Sequence, residues 1–342
     1  MHNDEGKMTQ EEFIKEWNSP SPFVRVKTSG STGEPKEMLV EKRRMLASAR
    51  MTCDFLGLQP GDTALLCMSL DYIAGKMMVV RALERGLRLV SVPPSGHPLA
   101  SGCQVVLFAA MVPMQVWNTL QVPEERERLR QVRHLLIGGG AIDPQLREAL
   151  ADFPNYVWSS YGMTETLSHI ALRRLNGPER SEWYTPLPGI SVSLNDEGCL
   201  VIHAPHLCDE PLVTNDLAEI QEPLQSGKET NSLNRGNPFR ILGRRDNVVC
   251  SGGIKIQMEA VEEKLRPHIP FPFMITKRPD PKFGEVVAMI VEGAEIERCQ
   301  AICRRVLSKY EQPKYFLVVD RLPLTETGKP ARAAAQQLVA SS

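Results

Sequence analysis

The chain has 342 residues, and at roughly 150 residues per domain this length predicts about two domains. Its 40 Lys and Arg residues nearly balance 41 Asp and Glu residues, and the formal charge of -1 argues against nucleic acid or an anionic membrane surface as the main partner. With 42% hydrophobic and 24% charged residues, the composition is that of a globular protein without long disordered segments.

Targeting and metal-binding patterns are not visible in the sequence. The start, MHNDEGKMTQEEF, has acidic residues where an export signal needs basic ones, and the longest apolar run, 105–113, is far shorter than the roughly 20 residues of a membrane span. The 8 cysteines form no CxxC pair, and the 7 histidines form no zinc-binding pattern. We therefore expect a cytoplasmic protein with no membrane span and with reduced, mostly buried thiols.

Strand-like and helix-like segments alternate through the first half of the chain. Strands are predicted over 23–29, 63–70, 87–92, 103–110, 132–140 and 156–162, and helices over 41–56, 72–85, near 113–120, and after an N-terminal cap at Asp143. Such alternation is typical of an α/β fold in which a mostly parallel sheet has helices on both faces.

The pattern changes in the second half. From about Gly189, short alternating strands and turns predict a small antiparallel β subdomain. After Gly243, the predicted elements are a helix over 258–266, strands over 271–277 and 285–291, a helix over 295–308 and a strand over 315–319. We expect a large N-terminal domain over 1–243, with its β-rich part at about 189–243, and a small mobile C-terminal α+β domain over 247–342.

A loop rich in hydroxyl groups follows the first predicted strand. Its sequence, TSGSTGEPK, runs from Thr28 to Lys36. Backbone N–H groups, hydroxyls and an ammonium group in such a loop can contact phosphate oxygens, although the spacing is not that of a Walker A loop. Taken alone, the segment has a solvated Ser/Gly loop as its alternative interpretation.

Two further motifs end neighbouring predicted strands. YGMTE begins at Tyr161, whose ring can stack on a base; Thr164 can donate to a phosphate and Glu165 can ligate Mg²⁺. The glycines of IGGGA at 137–141 let a base or sugar approach the backbone closely. Because the carboxyl ends of parallel strands are where such sheets bind ligands, both motifs are candidate site segments, with a plain turn as the alternative for each.

Four motifs in the second half carry charged groups or flexible glycines. They are TND with Asp216, GRRD with Arg244 and Asp246, SGG at 251–253, and PLTETGK with Lys329. The Asp216 carboxylate could accept hydrogen bonds from ribose hydroxyls. For each motif alone, a solvated charge or a turn is the simpler interpretation.

The motifs together, in this order, resemble the adenylate-forming superfamily of acyl-CoA synthetases, nonribosomal adenylation domains and luciferases. The resemblance spans about residues 24–332. It implies binding of ATP, Mg²⁺ and coenzyme A together with a small-molecule carboxylic acid. Carried over residue by residue, it implies that the cofactor-binding residues are Thr28, Ser29, Gly30, Ser31, Thr32, Gly33, Lys36, Gly139, Gly140, Ala141, Tyr161, Gly162, Met163, Asp216, Arg244, Ser251, Gly252 and Gly253.

The same resemblance implies the chemistry. A carboxylate attacks the α-phosphate of ATP, and the resulting acyl-AMP passes its acyl group to the thiol of coenzyme A. Lys329, Thr164 and Glu165 would be catalytic, and Glu165 would also ligate the metal. Asp246 would be the hinge about which the C-terminal domain rotates between the two steps.

Within the superfamily, three stretches look most like the o-succinylbenzoate-CoA ligases of menaquinone biosynthesis, in a short form. The stretches are SLDYIAGKMM at 69–78, YGMTETLSHIALR at 161–173 and DNVVCSGGIKI at 246–256. That acid has a second carboxylate that is not activated, so its pocket needs a cation or several donors. The candidates for this pocket are Tyr72, Lys76, Ser168 and His169, and a surface helix position is the alternative for Lys76.

Three features depart from the family pattern. Family members usually carry a further stretch of domain size before the phosphate loop, which begins here at Thr28; Asn215 replaces a usual Gly, and Lys255 is unusual in its motif. An exposed sheet could then be covered in a homodimer. An enzyme that loads another acid onto coenzyme A or a carrier protein, and an inactive scaffold protein, remain as alternatives.

Overall fold

The computed structural model describes residues 7–27, 37–100, 104, 106–221, 236–293, 296–325 and 330–342. Within these residues, no helix has both the length and the apolar character needed to cross a membrane. The first elements are α1 Gln10–Trp17, β1 Phe23–Lys27, β2 Glu37–Glu41, α2 Lys42–Leu56, β3 Thr63–Leu66, α3 Ile73–Arg85, β4 Arg88–Ser91, β5 Phe108–Met111, α4 Pro113–Leu120, α5 Pro123–Gln131, β6 His134–Ile137, α6 Pro144–Ala149, β7 Tyr156–Gly162, β8 His169–Arg174 and β9 Thr185–Pro186.

A seven-stranded sheet in the order β4-β3-β5-β6-β7-β8-β9 organises this part of the chain. The pairs from β4 through β7 are parallel, and β8 and β9 are antiparallel. Because side chains alternate along a strand, Ala64 and Leu66 pack with α2 and α3, whereas Leu65 and Cys67 pack with α4, α5 and α6. The prediction of a mostly parallel sheet with helices on both faces is confirmed.

Two helices of the first half escaped the sequence analysis. Helix α1 lies in the acidic N-terminal segment, for which no element was predicted. It is short, has a capping box between Thr9 and Glu12, and buries only Phe13 completely. Helix α5 buries only Glu125 and Leu129. With so few buried positions, neither segment shows clear helical periodicity of apolar residues.

The second half begins with a four-stranded antiparallel sheet in the order β10-β11-β12-β13. Its strands are β10 Ser191–Leu194, β11 Cys199–His203, β12 Leu212–Ile220 and β13 Phe239–Arg244, and a short 3-10 helix, Arg245–Asn247, follows. The small antiparallel part of the predicted fold class is thus confirmed.

A five-stranded sheet forms the C-terminal part of the chain. Its elements are β14 Val248–Ser251, β15 Ile254–Gln257, α7 Met258–Leu265, β16 Phe273–Asp280, β17 Gly284–Glu292, α8 Ile296–Val306, β18 Tyr315–Val319 and α9 Arg332–Ser341. Helices α7 and α8 cover one face, and α9, which was not predicted, covers the other.

Burial raises the pKa of the Cys303 thiol to about 11, as suits a packed, unreactive side chain. The domain boundaries near 243 and 247 stay a prediction.

An ion pair between half-buried Arg332 and buried Glu262 fixes the start of α9. Arg332 Nη1 and Nη2 donate to the two carboxylate oxygens of Glu262 over 3.0 and 2.9 Å, and Nη1 also donates to the Ile275 carbonyl oxygen over 2.7 Å. Arg332 begins α9 three positions after Lys329, so this pair ties the chain just beyond the predicted catalytic lysine to the core of the C-terminal part.

Breaking this pair should destabilise the protein strongly. Arg332→Met leaves the buried Glu262 carboxylate without its two guanidinium donors and with Arg266, 4.0 Å away, as its remaining cation. We expect a loss of roughly 3 kcal/mol in the free energy of unfolding, measured by urea denaturation. The double variant Arg332→Met/Glu262→Met should recover most of the loss, because both charges are then absent. Equal stabilities of the single and double variants would show that the charge pairing is not responsible.

Acidification should destabilise the protein partly through His134. Burial, with the charges of Arg133 and Arg174, lowers the pKa of His134 to about 4, against about 6.5 in an unfolded chain. Between these values the unfolded chain binds the extra proton, so the stabilisation is present above pH 6.5 and is lost as the pH falls towards 4.

The free energy of unfolding should fall from pH 7 to pH 5 in both the wild type and His134→Leu. We expect the fall to be about 1–2 kcal/mol smaller in His134→Leu. Urea denaturation at both pH values measures this difference. If the free energy of unfolding depended on pH identically in the two proteins, His134 would not contribute to the destabilisation by acid.

Candidate active site

Tyr161, Asp216 and Arg244 meet where the large sheet and the four-stranded sheet adjoin. The Tyr161 hydroxyl donates to Asp216 Oδ2 over 2.6 Å, and Arg244 Nη1 lies 3.7 Å from Asp216 Oδ1. The last two residues are direct neighbours across β12 and β13. Three motifs separated widely in sequence therefore form one cluster.

The ring of Tyr161 is held by two aromatic side chains. Its centroid lies 5.3 Å from that of Phe239 in an edge-on arrangement and 5.8 Å from that of Tyr184. Burial, together with the charge of Asp216, raises the pKa of the Tyr161 phenol far above its usual value. The phenol therefore stays protonated and acts as a fixed donor to Asp216.

Gly162 is required by the close packing of the chain just beyond Tyr161. A Cβ atom at this position would lie 2.3 Å from the Ser168 carbonyl oxygen and 2.5 Å from His169 Cα. Because these are backbone atoms, only Gly fits, and the β7–β8 register is irregular at this point. The tight return of the chain places Ser168 and His169 beside the end of β7.

The predicted adenine loop follows β6, directly beside β7. Gly139 and Gly140 are exposed, and Gly139 has a φ of 80°. Ala141 is exposed too, so this stretch offers accessible backbone to a flat ligand. Asp143 caps α6 through Gln145 N and pairs with Arg266, the residue just after α7, at 3.1 Å, which links the loop to the C-terminal part.

The predicted hinge residue is held by two side chains that precede it in the chain. Asp246 Oδ2 accepts from Arg244 Nη2 over 2.9 Å and from Asn215 Nδ2 over 3.2 Å. Asn215 Oδ1 in turn accepts from Arg245 Nη2 over 3.1 Å. The Asn that replaces the usual Gly thus binds the segment 245–246, which a Gly could not do.

The metal and phosphate candidates at the end of β7 are accessible. Glu165 is exposed, whereas Thr164 and Met163 are half-buried. Within the described ranges, no three His, Cys, Asp or Glu side chains gather to hold a metal ion. A Mg²⁺ ion at Glu165 would take its other ligands from phosphate oxygens and water, an arrangement that Mg²⁺ commonly adopts.

Several predicted residues are not brought to this cluster by the described contacts. Ser251 ends β14, and Gly252 and Gly253 form the turn of the β14–β15 hairpin. Outside the described residues lie the whole predicted phosphate loop and the lysine, namely Thr28, Ser29, Gly30, Ser31, Thr32, Gly33, Lys36 and Lys329.

Lys76 does not occupy the surface position that was the alternative for it. The residue is only 2% exposed, and its ammonium group donates to the Arg25 carbonyl oxygen, lies 4.0 Å from Glu16 and sits over the Phe13 ring. Tyr72 is the N-cap of the same helix, α3. Pairing of Lys76 with a substrate carboxylate stays a prediction, and it would require the ammonium group to leave these partners.

Arg81, which the sequence analysis missed, is a buried cation on the same helix. It is 2% exposed, Nη2 donates to Ser168 Oγ over 2.5 Å, Nη1 is 3.7 Å from Met78 Sδ, and Nε has no partner. No carboxylate among the described residues pairs with it. At 100° per residue, Arg81 points about 140° away from Lys76 around the helix. An arginine within the apolar run MMVVRAL was the available signal.

Arg81 keeps its charge despite this environment. Burial lowers the pKa of the Arg81 guanidinium to about 10, so the group is still protonated at neutral pH. Burial and the charge of Arg81 hold the pKa of His169 well below its usual value, which keeps that imidazole neutral. The pocket candidates Ser168 and His169 therefore lie next to one uncompensated positive charge.

Comparison with known proteins identifies the family. A family model described as AMP-binding enzyme matches residues 4–205, more than half of the chain. The chain belongs to the AMP-binding enzyme family. The resemblance to the adenylate-forming superfamily is thereby confirmed, and so is the prediction of an AMP-forming acid–CoA ligase.

Individual relatives agree with this assignment. A 2-succinylbenzoate–CoA ligase of Bacillus cereus is 26% identical, over 98% of this chain and 73% of the relative. The crystal structure of an acyl-CoA synthetase (AMP-forming)/AMP-acid ligase II-like protein from Dyadobacter fermentans DSM 18053 is 35% identical, covers 96% of this chain and 93% of that chain, and has a TM-score of 0.62.

A third relative supports the fold. O-succinylbenzoate coenzyme A synthetase (MenE) from Bacillus subtilis, in complex with ATP and magnesium ion, is 22% identical, with coverage of 90% of this chain and 68% of that chain and a TM-score of 0.72. At this identity the likeness concerns the fold.

Proposed function

We propose that the enzyme activates a dicarboxylic acid as its acyl-AMP ester and transfers the acyl group to coenzyme A, and that the acid is o-succinylbenzoate. The observation that carries the choice of a dicarboxylic acid is Arg81. A buried guanidinium is costly unless it is paired, and this one has only a hydroxyl and a thioether as partners among the described side chains. A substrate carboxylate would supply the missing negative charge.

The site residues suit a nucleotide. The Asp216 carboxylate can accept from ribose hydroxyls while Tyr161 and Arg244 hold it in place. The exposed backbone of Gly139 and Gly140 leaves room for a flat base beside the Tyr161 ring. When bound, ATP supplies the α-phosphate that becomes bonded to the acid, and Mg²⁺ at Glu165 would neutralise phosphate charge.

In this proposal, different cations act on the two carboxylates of the acid. Lys329 and Mg²⁺ would neutralise charge as the activated carboxylate approaches the α-phosphate. Arg81 would bind the second carboxylate by charge-assisted hydrogen bonds and so orient the acid. The names of the Bacillus relatives support o-succinylbenzoate as the acid, since it has the two carboxylates that this division requires.

A panel of acids tests the proposal. We would measure ATP-dependent AMP release with o-succinylbenzoate, with 4-oxo-4-phenylbutanoate, which lacks the ring carboxylate, and with simple monocarboxylic acids, each in the presence of coenzyme A. The proposal requires clearly higher kcat/KM for o-succinylbenzoate. Faster turnover of a monocarboxylic acid would refute the choice of substrate, and turnover only with a carrier-protein thiol would favour an enzyme that loads a carrier.

A further inference from the structure

A buried series of polar side chains connects helix α2 to the Arg81 guanidinium. Thr52 Oγ1 lies 3.0 Å from His169 Nε2, and His169 Nδ1 lies 3.2 Å from Ser168 Oγ. Ser168 Oγ accepts from Arg81 Nη2. Thr52 is 0%, Arg81 2% and His169 6% exposed, and Ser168 is half-buried, so solvent has little access to the series.

The positions of the protons follow from the partners. Thr52 Oγ1 also lies 3.2 Å from the Ser48 carbonyl oxygen, which can only accept, so the Thr52 hydroxyl donates there. Thr52 Oγ1 then accepts from His169 Nε2–H. The neutral imidazole is left with an unprotonated Nδ1, which accepts from the Ser168 hydroxyl. The opposite tautomer would require the Thr52 hydroxyl to donate to Nε2 and would lose the bond to Ser48.

The backbone around Ser168 is strained. Leu167 has a φ of 66°, a left-handed conformation that costs a buried non-glycine residue about 1 kcal/mol or more. Thr166 holds the turn, since its Oγ1 accepts from Met163 N over 3.0 Å and donates to the Ser168 carbonyl oxygen, 2.8 Å away. Such strain is common at binding and catalytic sites. Here the strained turn places Ser168 Oγ within hydrogen-bond distance of Arg81 Nη2.

We propose that Thr52 and His169 are positioning residues for acid selectivity: they hold Ser168, and through it the Arg81 guanidinium, in the one orientation that receives a second carboxylate. This inference rests on the proposed function, because it gives Arg81 a substrate carboxylate as its partner. It adds that selectivity depends on a hydroxyl of α2 that is three hydrogen bonds away from the guanidinium.

The matched variants are Thr52→Val, which keeps the shape and removes the hydroxyl, and Thr52→Ser, which keeps the hydroxyl. We expect Thr52→Val to raise KM for o-succinylbenzoate about tenfold with little change in kcat, as for the loss of one hydrogen bond. KM for 4-oxo-4-phenylbutanoate should change by less than about twofold. Thr52→Ser should keep the KM values of the wild type. Thermal melts of both variants report folding.

The outcomes separate the two proposals. If the wild type does not prefer the diacid, the proposed function fails and this inference fails with it. If the wild type prefers the diacid and Thr52→Val keeps the same preference, or loses activity equally for both acids, only the inference is overturned.

An independent check needs no substrate. In ¹⁵N spectra at pH 7, assigned with His169→Gln, His169 of the wild-type protein should be neutral with its proton on Nε2. A protonated ring or a proton on Nδ1 would overturn the proposed series of hydrogen bonds from Thr52 to Arg81, even if a Thr52 variant did not fold.

Discussion

Replacing Arg81 with methionine should lower kcat/KM for o-succinylbenzoate at least ~10²-fold, because the second carboxylate would enter a pocket without its cation. For 4-oxo-4-phenylbutanoate, the change should stay within about threefold, since no carboxylate then needs the guanidinium. Steady-state AMP release with both acids measures the two ratios.

The same variant should be at least as stable as the wild type. Arg81 is a buried cation without an acidic partner among the described residues, and methionine fills a similar volume without the cost of desolvating a charge. We expect the free energy of unfolding to rise by about 1 kcal/mol or more. A residue kept for stability would show the opposite sign, so the combination of higher stability and lost diacid turnover distinguishes a binding role from a structural one.

Arg85→Met is the matched control. Arg85 lies one turn further along α3 and pairs with Asp54 near the surface. Its replacement removes the same charge from the same helix, yet it should leave the preference for the diacid unchanged. If both variants lost the preference equally, the effect would belong to helix α3 in general, and Arg81 would not be the carboxylate-binding residue.

The sequence was sufficient to predict the main sheet because its strands and helices give local signals. Apolar runs followed by glycines marked β6 and β7. Tyr161 and Arg244 lie at strand ends, whereas Asp216 lies within β12. That these three side chains touch could be inferred only through the family resemblance. Their contacts join residues that are dozens of positions apart, and spacing along the chain carries no such information.

The sequence did not show how the two cations of α3 are placed in the fold, for a physical reason. Lys76 and Arg81 are both cations in an apolar helix, and only the fold determines which face each one occupies. Lys76 turns towards α1, a helix that the sequence analysis did not find, and its partners Glu16 and Phe13 both lie there. Arg81 turns towards the start of β8, where the strained turn at Leu167 places Ser168 next to it. In both cases the position of the cation depends on the element that packs against that face of α3, and the sequence does not show which element this is.

Lys329→Ala should separate the two half-reactions. In the proposed first step, a carboxylate approaches a negatively charged α-phosphate, so loss of the lysine should reduce acid-dependent pyrophosphate exchange by ~10²-fold or more. Thioester formation from supplied acyl-adenylate and coenzyme A should fall much less, because that step has no such meeting of like charges. Both assays use the same purified variant, and the ratio of the two losses is the quantity of interest.

The structure supplies the controls for this experiment. Lys309→Ala removes an exposed lysine just after α8 and should leave both half-reactions unchanged. Arg332 joins the chain three residues beyond Lys329 to Glu262 in the core, so the melting temperature of Lys329→Ala should match that of the wild type while this pair stays intact. Equal losses in the two half-reactions, with an unchanged melting temperature, would show that Lys329 does not act specifically in adenylation.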